Sequence, residues 1–177
     1  MKAFKIIMLL FTLIGISSCE NYSNNPIDYS PIYPICGEWR VRIKEIGPDT
    51  LLKTAAGAVA IYTFNTYNTS DNRVDSMWIR TTSAMVSSLG TMRGKILCDV
   101  PNLSFSGTDV TDISVATGAK FSVTEGKLTL NAIDMPSGVK ADKISFKYTT
   151  TKVAGKTFLI EGFRQTLWPA DQNFTGY

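Results

Sequence analysis

Histidine is absent from the sequence. That removes a Ser-His-Asp or Cys-His nucleophile system and any His-ligated zinc. Proton transfer by side chains would then fall to carboxylates, Lys or Tyr. Cysteine is scarce, with three residues in the whole chain, too few for a cysteine-built structural zinc site. No Gly-x-Ser-x-Gly elbow occurs, and the Gly and Lys of "SSLGTMRGK" lack P-loop spacing. A run long enough to span a membrane, about 20 apolar residues, is also missing. No segment holds a sustained 3.6-residue period. Charge of one sign is not in excess: 18 Lys and Arg face 15 Asp and Glu, so nothing supplies the basic face that nucleic acid needs. These absences leave no assigned catalytic residue, metal site or cofactor.

What is present begins with a leader. Lys2 and Lys5 precede a short apolar stretch from Ile6 to Ile16, followed by Ser17, Ser18 and Cys19. This charged start, apolar middle and small-residue end is the pattern of a secretory signal. Ile16-Ser17-Ser18-Cys19 resembles a bacterial lipobox. The resemblance implies cleavage before Cys19, a diacylglyceryl thioether on its sulfur and acylation of the new amino terminus. Two or more acyl chains hold a protein stably at a bilayer. The expectation is a lipid-anchored protein of the cell envelope, at the outer membrane, with either side open. Removal of Lys2 and Lys5 brings the mature charge close to zero. Residues 19–35, "CENYSNNPIDYSPIYPI", are rich in Asn, Ser, Pro and Tyr and read as a flexible tether. The folded domain is expected over 36–177.

From Gly37 onward a two-residue period dominates, the mark of strands with one wet and one dry face. Trp39, Val41 and Ile43 alternate with Arg40, Arg42 and Lys44. Met77 and Ile79 alternate with Trp78 and Arg80; Met92, Ile96 and Cys98 with Arg93, Lys95 and Leu97. Gly94 breaks that last series and suggests a bend or bulge. Phe121 to Ala132 reads as a hairpin with Glu125-Gly126 at its tip. Ile144, Phe146 and Tyr148 form another strand, and Phe158, Ile160, Gly162 and Arg164 the last. A short helix is a candidate at Thr82–Leu89. Leu103–Ala116 reads as irregular with one short strand. About eight strands must protect their edges, and closure into a barrel removes those edges. The expected fold is all-β, an eight-stranded antiparallel barrel, which at that size is filled by side chains or holds one small ligand.

Gly37-Glu38-Trp39 at the head of the first strand resembles the Gly-x-Trp of lipocalins and their calycin relatives. The resemblance implies that Trp39 closes one barrel end and that Arg164, near the last strand, packs on its ring. Together with the lipobox and the polar tether, the layout is similar to the Bacteroidetes lipoproteins called lipid-binding putative hydrolases, which are lipocalin-like. It implies a small apolar or amphipathic, lipid-like ligand. Tyr62, Phe64, Trp78, Ile79, Phe146, Tyr148, Phe158 and Ile160 are the candidate pocket lining, in a cavity or in a filled core. Two other readings stand beside a carrier. One is a hydrolase of lipid or glycan esters using carboxylates such as Asp99 and Glu161. The other is a structural module of an envelope complex, whose protein partner the residues do not identify. Cys36 and Cys98 are either a disulfide or two buried thiols. Asp49-Thr50-Leu51 and Asp75-Ser76-Met77 resemble Bacteroidetes O-glycosylation sites at Thr50 and Ser76.

Overall fold

The computed structural model describes residues 27–85, 88–172 and 174–176. Cys19 and the segment read as a leader lie outside the described residues. Nine strands follow in order: β1 (Gly37–Glu45), β2 (Thr50–Leu51), β3 (Ile61–Asn68), β4 (Ser76–Thr81), β5 (Arg93–Asp99), β6 (Ser104–Thr111), β7 (Lys120–Asp134), β8 (Lys140–Thr150) and β9 (Phe158–Arg164). From β3 to β9 each strand pairs antiparallel with the next, and β1 pairs with both β3 and β9. The closing seam runs from Trp39 opposite Arg164 to Glu45 opposite Phe158. The two-residue β2 only extends the far end of β1. The result is a closed eight-stranded antiparallel barrel with no α-helix among the described residues, as the alternation predicts.

The period sets the inside. Trp39, Val41 and Ile43 on β1, Ile144 and Tyr148 on β8, and Ile160 on β9 are all fully buried and belong to one cluster. Burying a large apolar side chain contributes about 1.5–3 kcal/mol, so a ring of such positions drives closure.

Four details depart from the sequence reading. The segment from Phe121 to Ala132 is not a hairpin but part of the single 15-residue strand β7. Glu125 takes a positive φ of 54°, and the pairing with β8 slips between Thr124 and Lys127. That is a β-bulge: one extra residue bends a continuing strand. Gly94 makes no bulge, for β4 and β5 pair in regular register across it. A Cβ there would lie 2.6 Å from Val110 Cγ1 and 2.7 Å from Phe121 Cζ, so the glycine makes room for interior side chains. The stretch Thr82–Leu89 has no helix in its described residues. Of the residues read as tether, Ile32 and Ile35 are instead fully buried in the core, the latter in a 3-10 turn over Tyr33–Ile35.

The chain after β9 folds back on the outer wall. Phe163 points outward yet is buried beside Ile133, Met135 and Ala141, with Phe174 packed against them. Asp171 fixes this return by accepting from the Ser137 amide (2.8 Å), the Ser137 hydroxyl (2.7 Å) and the Thr166 hydroxyl (2.5 Å).

Candidate functional site

The first end of the barrel is built around Trp39. Its indole is fully buried, and Nε1 donates to Thr66 Oγ1 at 2.8 Å. That hydroxyl in turn donates to the Ile35 carbonyl at 2.7 Å, joining β1, β3 and the incoming segment. The Arg164 guanidinium lies over the indole, 4.7 Å from the ring centroid. It donates to the carbonyls of Cys36 and Pro34 and, through Nε, to Asp142 Oδ2 at 2.9 Å. One arginine therefore ties the entering chain, β8 and β9 onto the ring. Gly37 is part of the same device: a Cβ there would sit 3.0 Å from Arg164 Nη1. The spacing of Gly and Trp in the motif thus has a steric reason, since the residue two before the indole must leave space for the cation stacked on it.

The interior between the ends is packed. A void large enough for water would expose the side chains lining it, and Trp39, Phe64, Ile79, Tyr148 and Ile160 expose none of their surface. Among the candidate pocket residues, Phe64, Ile79, Phe146, Tyr148, Phe158 and Ile160 fall together in this core, and Tyr62 packs partly buried against it. Trp78 does not join them. Its neighbours Met77 and Ile79 are the inward ones, so by alternation its ring faces outside, with Arg93 Cζ 5.9 Å from its centroid. The sequence could not separate the two faces of a strand with apolar residues on both.

The opposite end carries a polar latch. Asp112 is buried, and its carboxylate accepts from Lys152 Nζ at 2.6 Å, the Ser114 hydroxyl at 2.5 Å and the Ser114 and Arg93 amides. Lys152 Nζ also donates to the Thr91 carbonyl at 2.5 Å. Three connections, β4–β5, β6–β7 and β8–β9, meet at this pair. Burial pushes the Asp112 carboxyl up, but Lys152 and the three donors outweigh it and hold it below its ordinary 3.8. A carboxyl depressed by folding stabilises fully above that ordinary value and loses its contribution as pH falls through the folded one. Asp112→Asn is expected to cost about 3 kcal/mol at neutral pH, since it leaves the Lys152 charge largely buried without its counter-ion. It should also make the acid limb of stability shallower below pH 4, a result that urea unfolding at stepped pH would check.

Directly beneath the latch lies Tyr148. It is fully buried, its ring centroid is 6.0 Å from that of Phe121, and its hydroxyl makes no hydrogen bond of ordinary geometry among the described residues. Burial pushes the phenol up to about 12, with Thr150 opposing and Asp112 adding to the rise. Tyr148 does not reach the surface cleft of about 370 Å³ whose wall includes its neighbours Phe121 and Thr150. Sequence reasoning missed the Asp112–Lys152 pair, because partners 40 residues apart carry no local signal.

The remaining candidates separate. Asp99 is exposed on β5 and held by Asn102; Glu161 faces outward on β9 and pairs with Lys143 at 3.0 Å. In the closed strand order β5 and β9 are on opposite sides, so these carboxylates share no cleft. Cys36 and Cys98 are free thiols. Burial raises both, Cys98 to about 11, and Cys98 feels the Cys36 sulfur. Thr50 is exposed, whereas Ser76 is buried. Among the described residues no group of His, Cys, Asp or Glu could hold a metal ion, and no helix is long and apolar enough to cross a membrane.

A closed antiparallel barrel plugged by a first-strand Trp under a last-strand Arg defines a lipocalin-like β-barrel protein. A family model described as "lipid-binding putative hydrolase" matches residues 24–169. The chain belongs to that family. No curated protein matches it.

Proposed function

We propose that this is a non-catalytic lipid-binding protein, held at the cell envelope by acyl chains on Cys19, that takes a small amphipathic lipid at the latch end of its barrel. The observation that carries the reading is the Tyr148 hydroxyl, fully buried and with no hydrogen bond of ordinary geometry among the described residues, the Thr150 side chain being its polar neighbour. An unsatisfied buried hydroxyl costs about 1–3 kcal/mol, and a ligand head group passing inward between Phe121 and Thr150 from the cleft they line would relieve that cost. Entry requires side chains to give way. Met85 and Met92, both packed in the core, have the flexible thioether chains that refill irregular space. The Lys152–Asp112 pair is already neutralised, so the site favours an uncharged hydroxyl or ester head over a carboxylate. Family membership in a lipid-binding group supports the same class.

Native mass spectrometry of protein without its acyl anchor tests this, with monoacylglycerols and fatty acids as probes. The expected result is a one-to-one complex, stronger for the monoacylglycerol, and about fivefold weaker in Tyr148→Phe. The variant itself should be at least as stable as the parent, because it removes the unsatisfied hydroxyl. No complex with any probe, or undiminished binding by Tyr148→Phe, overturns the assignment. The packed interior favours one other reading, an interaction module of an envelope complex, and the first of those outcomes would support it.

A further inference from the structure

The outer face of β3, β4 and β5 carries two cations set against each other. Arg80 and Arg93 are directly opposite in the β4–β5 register, both exposed. Like charges directly opposite across a ladder are destabilising, and no carboxylate pairs with either among the described residues. Each guanidinium is also fixed in place: Arg80 lies 5.4 Å over the Tyr67 ring and Arg93 5.9 Å over the Trp78 ring. The two diagonal pairs are parallel, and an arginine so stacked keeps N–H groups free at its edge for an anion. Lys95, opposite Trp78, adds less, because Asp71 lies within its field.

The patch changes character toward the Trp39 end. Leu97 continues the same face of β5 and is 63% exposed; Val74, in the loop before β4, is 64% exposed. Cys98 Sγ contacts the Val74 carbonyl at 3.9 Å, so the two tips adjoin. The entering chain lies beside this corner, where Ser30 Oγ donates to Asn72 Oδ1 at 2.8 Å. Ile27 is eight residue steps from Cys19, at most about 28 Å of chain, so an anchor on Cys19 keeps this corner within reach of the bilayer.

We infer that this face is a membrane-contact surface for anionic phospholipid head groups, with Leu97 and Val74 as the apolar tip and Arg80 and Arg93 as the phosphate contacts. Charge complementarity and the short reach to the anchor carry it. The inference rests on the lipid-binding reading only for the anchor, since the surface is separate from the Tyr148 site.

Flotation of the chain from Ile27 onward, which contains every strand of the closed sheet, is the test. The vesicles are phosphatidylcholine alone and phosphatidylcholine with phosphatidylglycerol. Binding is expected to the anionic vesicles only and to fall with added salt. Each cation near an anionic surface contributes about a factor of five, so Arg80→Gln with Arg93→Gln should weaken it roughly thirtyfold. Circular dichroism would show the variant folded, and the loss of like-charge opposition should leave it no less stable. Equal binding to both vesicles would overturn the role of the arginines. No vesicle binding, with retention on heparin, would overturn the lipid partner in favour of a polyanionic glycan. Monoacylglycerol binding by the same double variant separates the outcomes: its persistence leaves the interior site standing whatever the vesicles show.

Discussion

Trp39→Ala is expected to lower stability by about 5 kcal/mol, a large share of the roughly 5–15 kcal/mol that holds a domain folded. Loss of a fully buried aromatic costs about 3–5 kcal/mol through transfer and cavity terms. The indole also donates to Thr66, a bond worth about 1 kcal/mol. Arg164 then loses the ring beneath it, although its bonds to Cys36, Pro34 and Asp142 remain. For a chain of this length each kcal/mol shifts Tm by about 2–4 °C, so the midpoint should fall by roughly 10–20 °C. Circular dichroism is the suitable probe, since the mutation removes a buried fluorophore. Trp39→Phe keeps a ring under the guanidinium and drops only the N–H and some volume; it should cost about 2 kcal/mol. An alanine variant within 1 kcal/mol of the parent would show that the indole does not close this end.

That closure was legible because its parts are local. Gly37-x-Trp39 stands at the head of a strict alternation, and alternation alone puts Trp39, Val41 and Ile43 on one face. Arg164 falls in the last alternating segment, so a closed sheet brings it beside the first. What was not legible depends on contacts between distant segments or on backbone angles. Phe121–Ala132 has the same two-residue pattern whether the chain reverses at Gly126 or bends through a bulge; only the β6 and β8 neighbours decide. Trp78 and Ile79 are both apolar, and the sheet's curvature, not their chemistry, chooses which goes inside. Asp112 sits in a stretch of low apolar content that reads as irregular. Its importance arises because β8 turns over it and delivers Lys152. Ile32 and Ile35 lie among prolines and tyrosines that look like tether, yet the Trp39 end needs apolar side chains beneath the Arg164 bonds to Pro34 and Cys36.

Gly162→Ala should open the barrel at its seam. Gly162 is on β9, opposite Val41 on β1 and Ile144 on β8, and its hydrogens face the interior. A Cβ there would run into the Arg40 carbonyl oxygen and lie 2.7 Å from both Val41 Cα and Val41 Cγ1. Backbone cannot rotate aside as a side chain does, so β1 and β9 must separate where they close the sheet. Overpacking alone costs about 1–3 kcal/mol, and the strained seam bonds place this change at or above the upper figure. Gly94→Ala is the informative control: the atoms nearest its Cβ belong to the side chains of Val110 and Phe121, which can shift within the core, so it should cost less. Hydrogen exchange distinguishes a local from a global effect. Amides of Trp39–Glu45 and Phe158–Arg164 should lose protection in Gly162→Ala while those of β5 to β7 keep theirs. If protection fell evenly around the sheet, or if Gly94→Ala were the more damaging, the seam would not be the weak line of the barrel.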